Sequence, residues 1–170
     1  MTKKCFLNIL LGSLLLTANA QGINCNPLLP RHTIAAAPLW ADLTFLASDE
    51  LQGRKTGSVG SLKAQRYLQQ AFSNIGIKPF GDSHLHPFTH QQPIKDVLGT
   101  NVMGWLPGSN YPKQYIVITA HYDHIGKEPR KIFNGADDNA SGVAALLALA
   151  RNIKNRPLKH SVIFVATDAE

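Results

Sequence analysis

The sequence is short of cysteine, of charge and of long apolar runs. It holds two cysteines, Cys5 and Cys25, among 170 residues. Cys5 falls in a segment expected to be removed, and a lone Cys25 cannot close an internal disulfide. Cys25 lies in a proline-rich leader and reads as incidental rather than as a nucleophile. Charged residues make up 16% of the chain. The basic ones are scattered, with no run and no stripe along a helix, so nucleic acid is not an expected partner. The formal charge of +6 includes Lys3 and Lys4, which are expected to leave with the N-terminal segment. No apolar run is long enough to span a bilayer comfortably, and there is no internal repeat.

What is present is a globular composition, 44% hydrophobic, in a chain long enough for one domain with a core. Lys3 and Lys4 form a basic start. Cys5 to Leu16 is an apolar run broken by Asn8, Gly12 and Ser13, and Ala18-Asn19-Ala20 then places small residues where a signal peptidase cuts. The expectation is a signal peptide over 1–20, an arm over 21–36 and the front part of a catalytic domain over 37–170. The protein is then secreted or periplasmic, with no stable membrane anchor after cleavage. Cys25 follows Gly22-Ile23-Asn24, which fits a lipoprotein box poorly.

Pro38-Leu39-Trp40 opens a helical pattern, with Trp40, Leu43 and Leu46 in register, ending near Ser48. Residues 50–60 contain three glycines and read as a loop. Residues 61–75 form a second helix, with Ala64, Leu68, Ala71, Phe72 and Ile75 on one face and Gly76 as its stop. Residues 78–96 carry His84, His86 and His90. His84-x-His86 has the spacing of a metal pair, but no carboxylate or cysteine stands nearby, and a polar surface hairpin is the better reading.

A short strand is expected over 101–106 and a turn over 107–110. Residues 115–120 are a β-branched run of the kind buried on both faces of a sheet. Residues 141–154 form a helix apolar on nearly every side, and so one packed inside. Residues 161–167 are another buried-type strand. Strand, crossover helix and strand make a βαβ unit, so the expected fold is α/β, with a mostly parallel (mixed) sheet flanked by helices.

Ligands in such folds gather at the carboxyl ends of strands. Three polar clusters fall there or at a helix start: His121-Tyr122-Asp123-His124, then Asn134 to Gly142, then Asp168-Ala169-Glu170. Imidazole is a good zinc ligand, and carboxylates bridge cations. Asp123, two residues from His121, is placed to hold that ring's far nitrogen. Asp137 and Asp138 are adjacent acids with no basic partner in sight, an arrangement that a cation would neutralise. Each cluster alone also has a plain structural reading: a buried histidine, a helix cap or a surface glutamate. Their order and placement together favour a metal site.

HYDHIG over 121–126, GADDNASG over 135–142 opening an Ala/Leu helix, and a strand running into Ala169-Glu170 resemble the dizinc aminopeptidases. These are the bacterial leucyl aminopeptidase and aminopeptidase Y group, related to carboxypeptidase Q and the transferrin-receptor-like proteins. FLASDELQGRKTGSVGS over 45–61 resembles the front of the same family, and the likeness covers roughly residues 38–170. It implies His121 as a ligand of one zinc, Asp123 as the acid orienting it, Asp138 as the bridging ligand with Asp137 its neighbour, and Glu170 as the general base. It also implies two zinc ions in the complete protein and a peptide substrate. The family's second glutamate would be the next residue, and its later aspartate and histidine ligands are not found. The expectation is therefore a C-terminally truncated metallo-aminopeptidase, inactive alone. A non-catalytic fragment or pseudoenzyme, or a glutaminyl-cyclase-like enzyme, is the alternative.

Overall fold

A computed structural model describes residues 34–91 and 93–170. The expected signal peptide, both cysteines and most of the arm lie outside them. The first element is α1, Ala36–Leu46, followed by a 3-10 turn, Asp49–Arg54. α2 is Val59–Ile75. The Ser58 hydroxyl caps it by accepting from the Ser61 N–H at 3.2 Å, which satisfies one of the donors a helix start leaves open. Gly76 ends it at φ 80°, the left-handed stop that glycine adopts without strain.

Seven strands follow in part: β1 Lys78–Pro79, β2 Leu85–His90, β3 Val97–Leu106, β4 Tyr111–His121, β5 Gly126–Glu128 and β6 Lys131–Phe133. A π-type turn, Ala136–Ala140, leads into α3, Ser141–Asn155, and β7 is His160–Thr167. The main sheet has five strands in the order β1-β3-β7-β4, with β2 also on β3. β4 and β7 pair in parallel across the α3 crossover, as the βαβ reading requires, and the other pairings are antiparallel. The sheet is thus mixed, with one parallel pair. β5 and β6 form a separate hairpin.

The core lies between the helices and one sheet face. Leu46, Leu68, Phe72, Val143, Leu146 and Leu147 meet Val102, Leu106, Ala120, Val162, Phe164 and Ala166, all buried. Asp42 is buried beneath α1 and is gripped by Arg151 of α3, Nη1 to Oδ2 at 2.5 Å, and by the Tyr67 hydroxyl at 2.6 Å. One acid therefore ties the three helices together.

Three expectations are corrected. The strand 115–120 is not buried on both faces: Tyr115, Ile116 and Val117 are exposed, because β4 ends the strand order and is an edge strand. α3 is not packed on every side, since Ala145 and Leu149, four apart, face outward. Residues 78–96 are not merely a polar surface hairpin. β2 is a sheet strand, and His84 is buried with Nε2 3.0 Å from the Ile77 carbonyl.

Candidate metal site

In the β4–β7 register His121 stands opposite Thr167, so the chain leaves both parallel strands side by side. The first and third polar clusters therefore emerge together. The π-type turn brings the second cluster over them. His121 Nε2 lies 3.1 Å from Asp138 Oδ1 and 2.7 Å from Glu170 Oε2. His124 Nδ1 is 3.4 Å from Asp138 Oδ2. His121, Asp138 and Glu170 each offer a ligand atom within 4.8 Å of the others. Asp138, not Asp137, turns its carboxylate to the histidines. Asp137 contributes its main-chain carbonyl, which accepts from the Ser141 hydroxyl.

Asp123 is buried beside them. Its main-chain oxygen is 3.3 Å from His121 Nδ1, and its Oδ1 is 3.8 Å away. The carbonyl, rather than the carboxylate, is therefore the nearer partner of that nitrogen. The reason is that Asp123 Oδ2 is drawn to the Thr56 hydroxyl at 3.2 Å, which leaves Oδ1 buried without a hydrogen bond. Burial, and then the neighbouring Asp168, raise the Asp123 carboxyl above the ordinary aspartate range. Asp168 is well satisfied. Thr56 Oγ1 donates to Oδ1 at 2.8 Å, the Tyr122 hydroxyl to Oδ2 at 2.8 Å and the Thr100 N–H to Oδ2 at 3.0 Å.

Beneath the acids lies Arg54, fully buried. Burial pushes its guanidinium down to about 10, opposed by the charges of Asp123 and Asp138. The Arg54 charge faces Asp123 and Asp138 without pairing with either, since its hydrogen bonds go to main-chain carbonyls. Arg54, Thr56, His124 and Asp168 are the residues that sequence reasoning left unassigned. The signal was there in Gly53-Arg54-Lys55-Thr56-Gly57, an arginine and a threonine framed by glycines, but it lies far from the acids in sequence.

One imidazole and two carboxylates are a donor set that zinc accepts. The converging acids and the unpartnered buried oxygen beside the ring fit a cation there. A cavity of about 280 Å³ opens beside them, lined by Lys55, Thr56, His90, Asp123, His124 and Glu170 among others. A larger one of about 400 Å³, lined by residues of α2 and α3, contains none of these acids.

The mixed sheet, its helices and the acid–histidine cluster at its edge define a zinc-exopeptidase-like α/β protein. Residues 101–170 match the model of peptidase family M28. A probable zinc metalloprotease from Pyrenophora teres f. teres is 32% identical over 145 residues, covering 83% of this chain and 27% of that protein. Aminopeptidase YwaD of Bacillus subtilis is 37% identical over 71 residues, 41% of this chain and 14% of the relative. Among solved structures, a glutaminyl cyclase from Fimbriiglobus ruber shares the fold at TM-score 0.67 and 24% identity, over 81% of this chain and 46% of the other. A Zn-dependent exopeptidase from Parabacteroides distasonis does so at 0.64 and 21%, over 81% and 47%. The chain spans less than half the length of each of these proteins.

Proposed function

We propose that the chain is the front part of an exported, zinc-dependent aminopeptidase that removes N-terminal residues from peptides. The observation that carries this reading is the meeting of Asp138 and Glu170 on Nε2 of His121, at the carboxyl ends of two parallel strands. His121 and Asp138 are the proposed ligands, Asp138 shared between two ions in the whole protein. Zinc bound there would acidify a water and polarise the scissile carbonyl. Glu170 acts as the base, taking a proton from the attacking water at its carboxylate and passing it to the leaving amine. The main-chain oxygen of Asp123 fixes the His121 ring through Nδ1, so that Nε2 faces the donors. The cavity beside Glu170 receives the peptide.

The two proposed ligands, His121 and Asp138, fall short of a closed four-ligand zinc site. The 170-residue chain is therefore expected to bind zinc weakly and to release no leucine from a leucine anilide. Calorimetric titration with zinc should show binding that His121→Ala abolishes. Equal binding by both would overturn the assignment. Leucine release by the purified chain would overturn the need for further ligands. In the whole protein, Glu170→Gln is expected to lower kcat roughly 10²–10⁴-fold, the usual reach of general-base catalysis, with zinc affinity retained. Cyclisation of an N-terminal glutamine, with ammonia released and no amino acid freed, would instead favour the glutaminyl-cyclase chemistry seen on this fold.

A further inference from the structure

Arg54 makes an unusual set of bonds for a buried cation. Its Nε donates to the Tyr122 carbonyl at 2.6 Å. Nη1 donates to the carbonyls of Leu46 and, at 2.7 Å, Asn134. Nη2 donates to the Gly135 carbonyl at 3.0 Å. All four acceptors are main-chain oxygens, and they come from three segments: the end of α1, the loop after β4 and the loop before α3. The planar fork of arginine can reach several acceptors in fixed directions, whereas a lysine ammonium is a compact point charge on a flexible stem.

The backbone around it is equally committed. Gln52, Gly53 and Arg54 all have positive φ, at 48°, 70° and 50°. Two of these are side-chain-bearing residues in a region that costs such residues about 1–2 kcal/mol each. Such strain persists only where the surroundings hold it. The Arg54 carbonyl accepts from the His124 N–H at 3.4 Å. A Cβ on Gly53 would collide with the carbonyls of Gly126 and Phe133. Two residues on, Thr56 meets Asp123 and Asp168. Residues 53–56 therefore touch each loop that carries a candidate site residue.

We propose that Arg54 is a positioning residue: by holding the Tyr122, Asn134 and Gly135 carbonyls together, it sets the approach of Asp138 to His121 without touching either side chain. Naming those two as metal donors rests on the reading above; the positioning itself does not. The test compares Arg54→Lys with Arg151→Met, which removes a part-buried arginine from the helix layer, by hydrogen exchange of the metal-free chain and by zinc titration. In Arg54→Lys, amides in 121–126 and 133–140 are expected to exchange at least tenfold faster, while those of 64–72 keep the native rate. Zinc should bind at least tenfold more weakly. Arg151→Met should leave the two loops and zinc binding as they are. Unchanged exchange in Arg54→Lys, or a uniform rise across sheet and helices, overturns the proposal. So does failure of Arg54→Lys to fold where Arg151→Met folds, since that makes Arg54 a general stability element. If the unaltered chain binds no zinc, the metal reading fails, and the exchange pattern alone decides the role of Arg54.

Discussion

Asp137 and Asp138 are neighbours in sequence with opposite duties in space. The second reaches both histidines with its carboxylate, and the first accepts from Ser141 with its main-chain carbonyl. Asp138→Asn is expected to weaken zinc binding about 30-fold or more, roughly 2 kcal/mol on the tenfold-per-1.4 scale, while Asp137→Asn leaves it within about twofold. Calorimetry on the two variants checks this, and equal losses would remove the distinction. His121, Asp123, Asp138 and Glu170 were legible as candidates, since they stand at strand ends and before a helix, while the choice of Asp138 over Asp137 came from the family resemblance. Arg54 was not. Three of its four partners are 68, 80 and 81 residues away, and all four are carbonyls, which every residue carries. No residue-type pattern encodes such bonds.

At the level of elements, patterning located α2, α3 and the βαβ unit, because a helical stripe and a β-branched run are local signals. It misjudged burial for β4, because Tyr115-Ile116-Val117-Ile118 reads the same in a central strand as at an edge. Position within the sheet is set by long-range pairing. β2 was missed because Pro87, His86 and His90 mask its period-2 signal, although it pairs with β3 along its full length. An edge with exposed Tyr115, Ile116 and Val117 invites pairing with another chain. The 170-residue chain is expected to associate as its concentration rises, and Val117→Lys, a charge on the exposed side, should shift it toward the monomer in sedimentation velocity. Identical profiles for the two would show that this edge is not the contact.

For the molecule as a whole, two phenols, the buried Tyr122 and the half-buried Tyr67, link parts distant in sequence. Tyr67 joins α2 to Asp42 of α1, and Tyr122 joins the end of β4 to Thr100 and Asp168. Burial, followed by the neighbouring carboxylate, raises both above the ordinary tyrosine value. Above pH ~10 the unfolded chain releases these protons and the folded chain keeps them, so the unfolded state binds fewer protons and stability falls as pH rises. Arg54, lowered to about 10, acts with the opposite sign and offsets part of the loss. The urea midpoint is expected to drop between about pH 10 and 11.5, and less steeply in Tyr122→Phe. Equal slopes would remove the buried phenol as the cause. The strand order has a consequence in time as well. β7 lies between β3 and β4, yet a ribosome makes it after both. Until it emerges, neither strand has the neighbour that joins them in the sheet. The central strand is thus the closing piece, and it delivers Asp168 and Glu170 to a histidine already waiting at the end of β4.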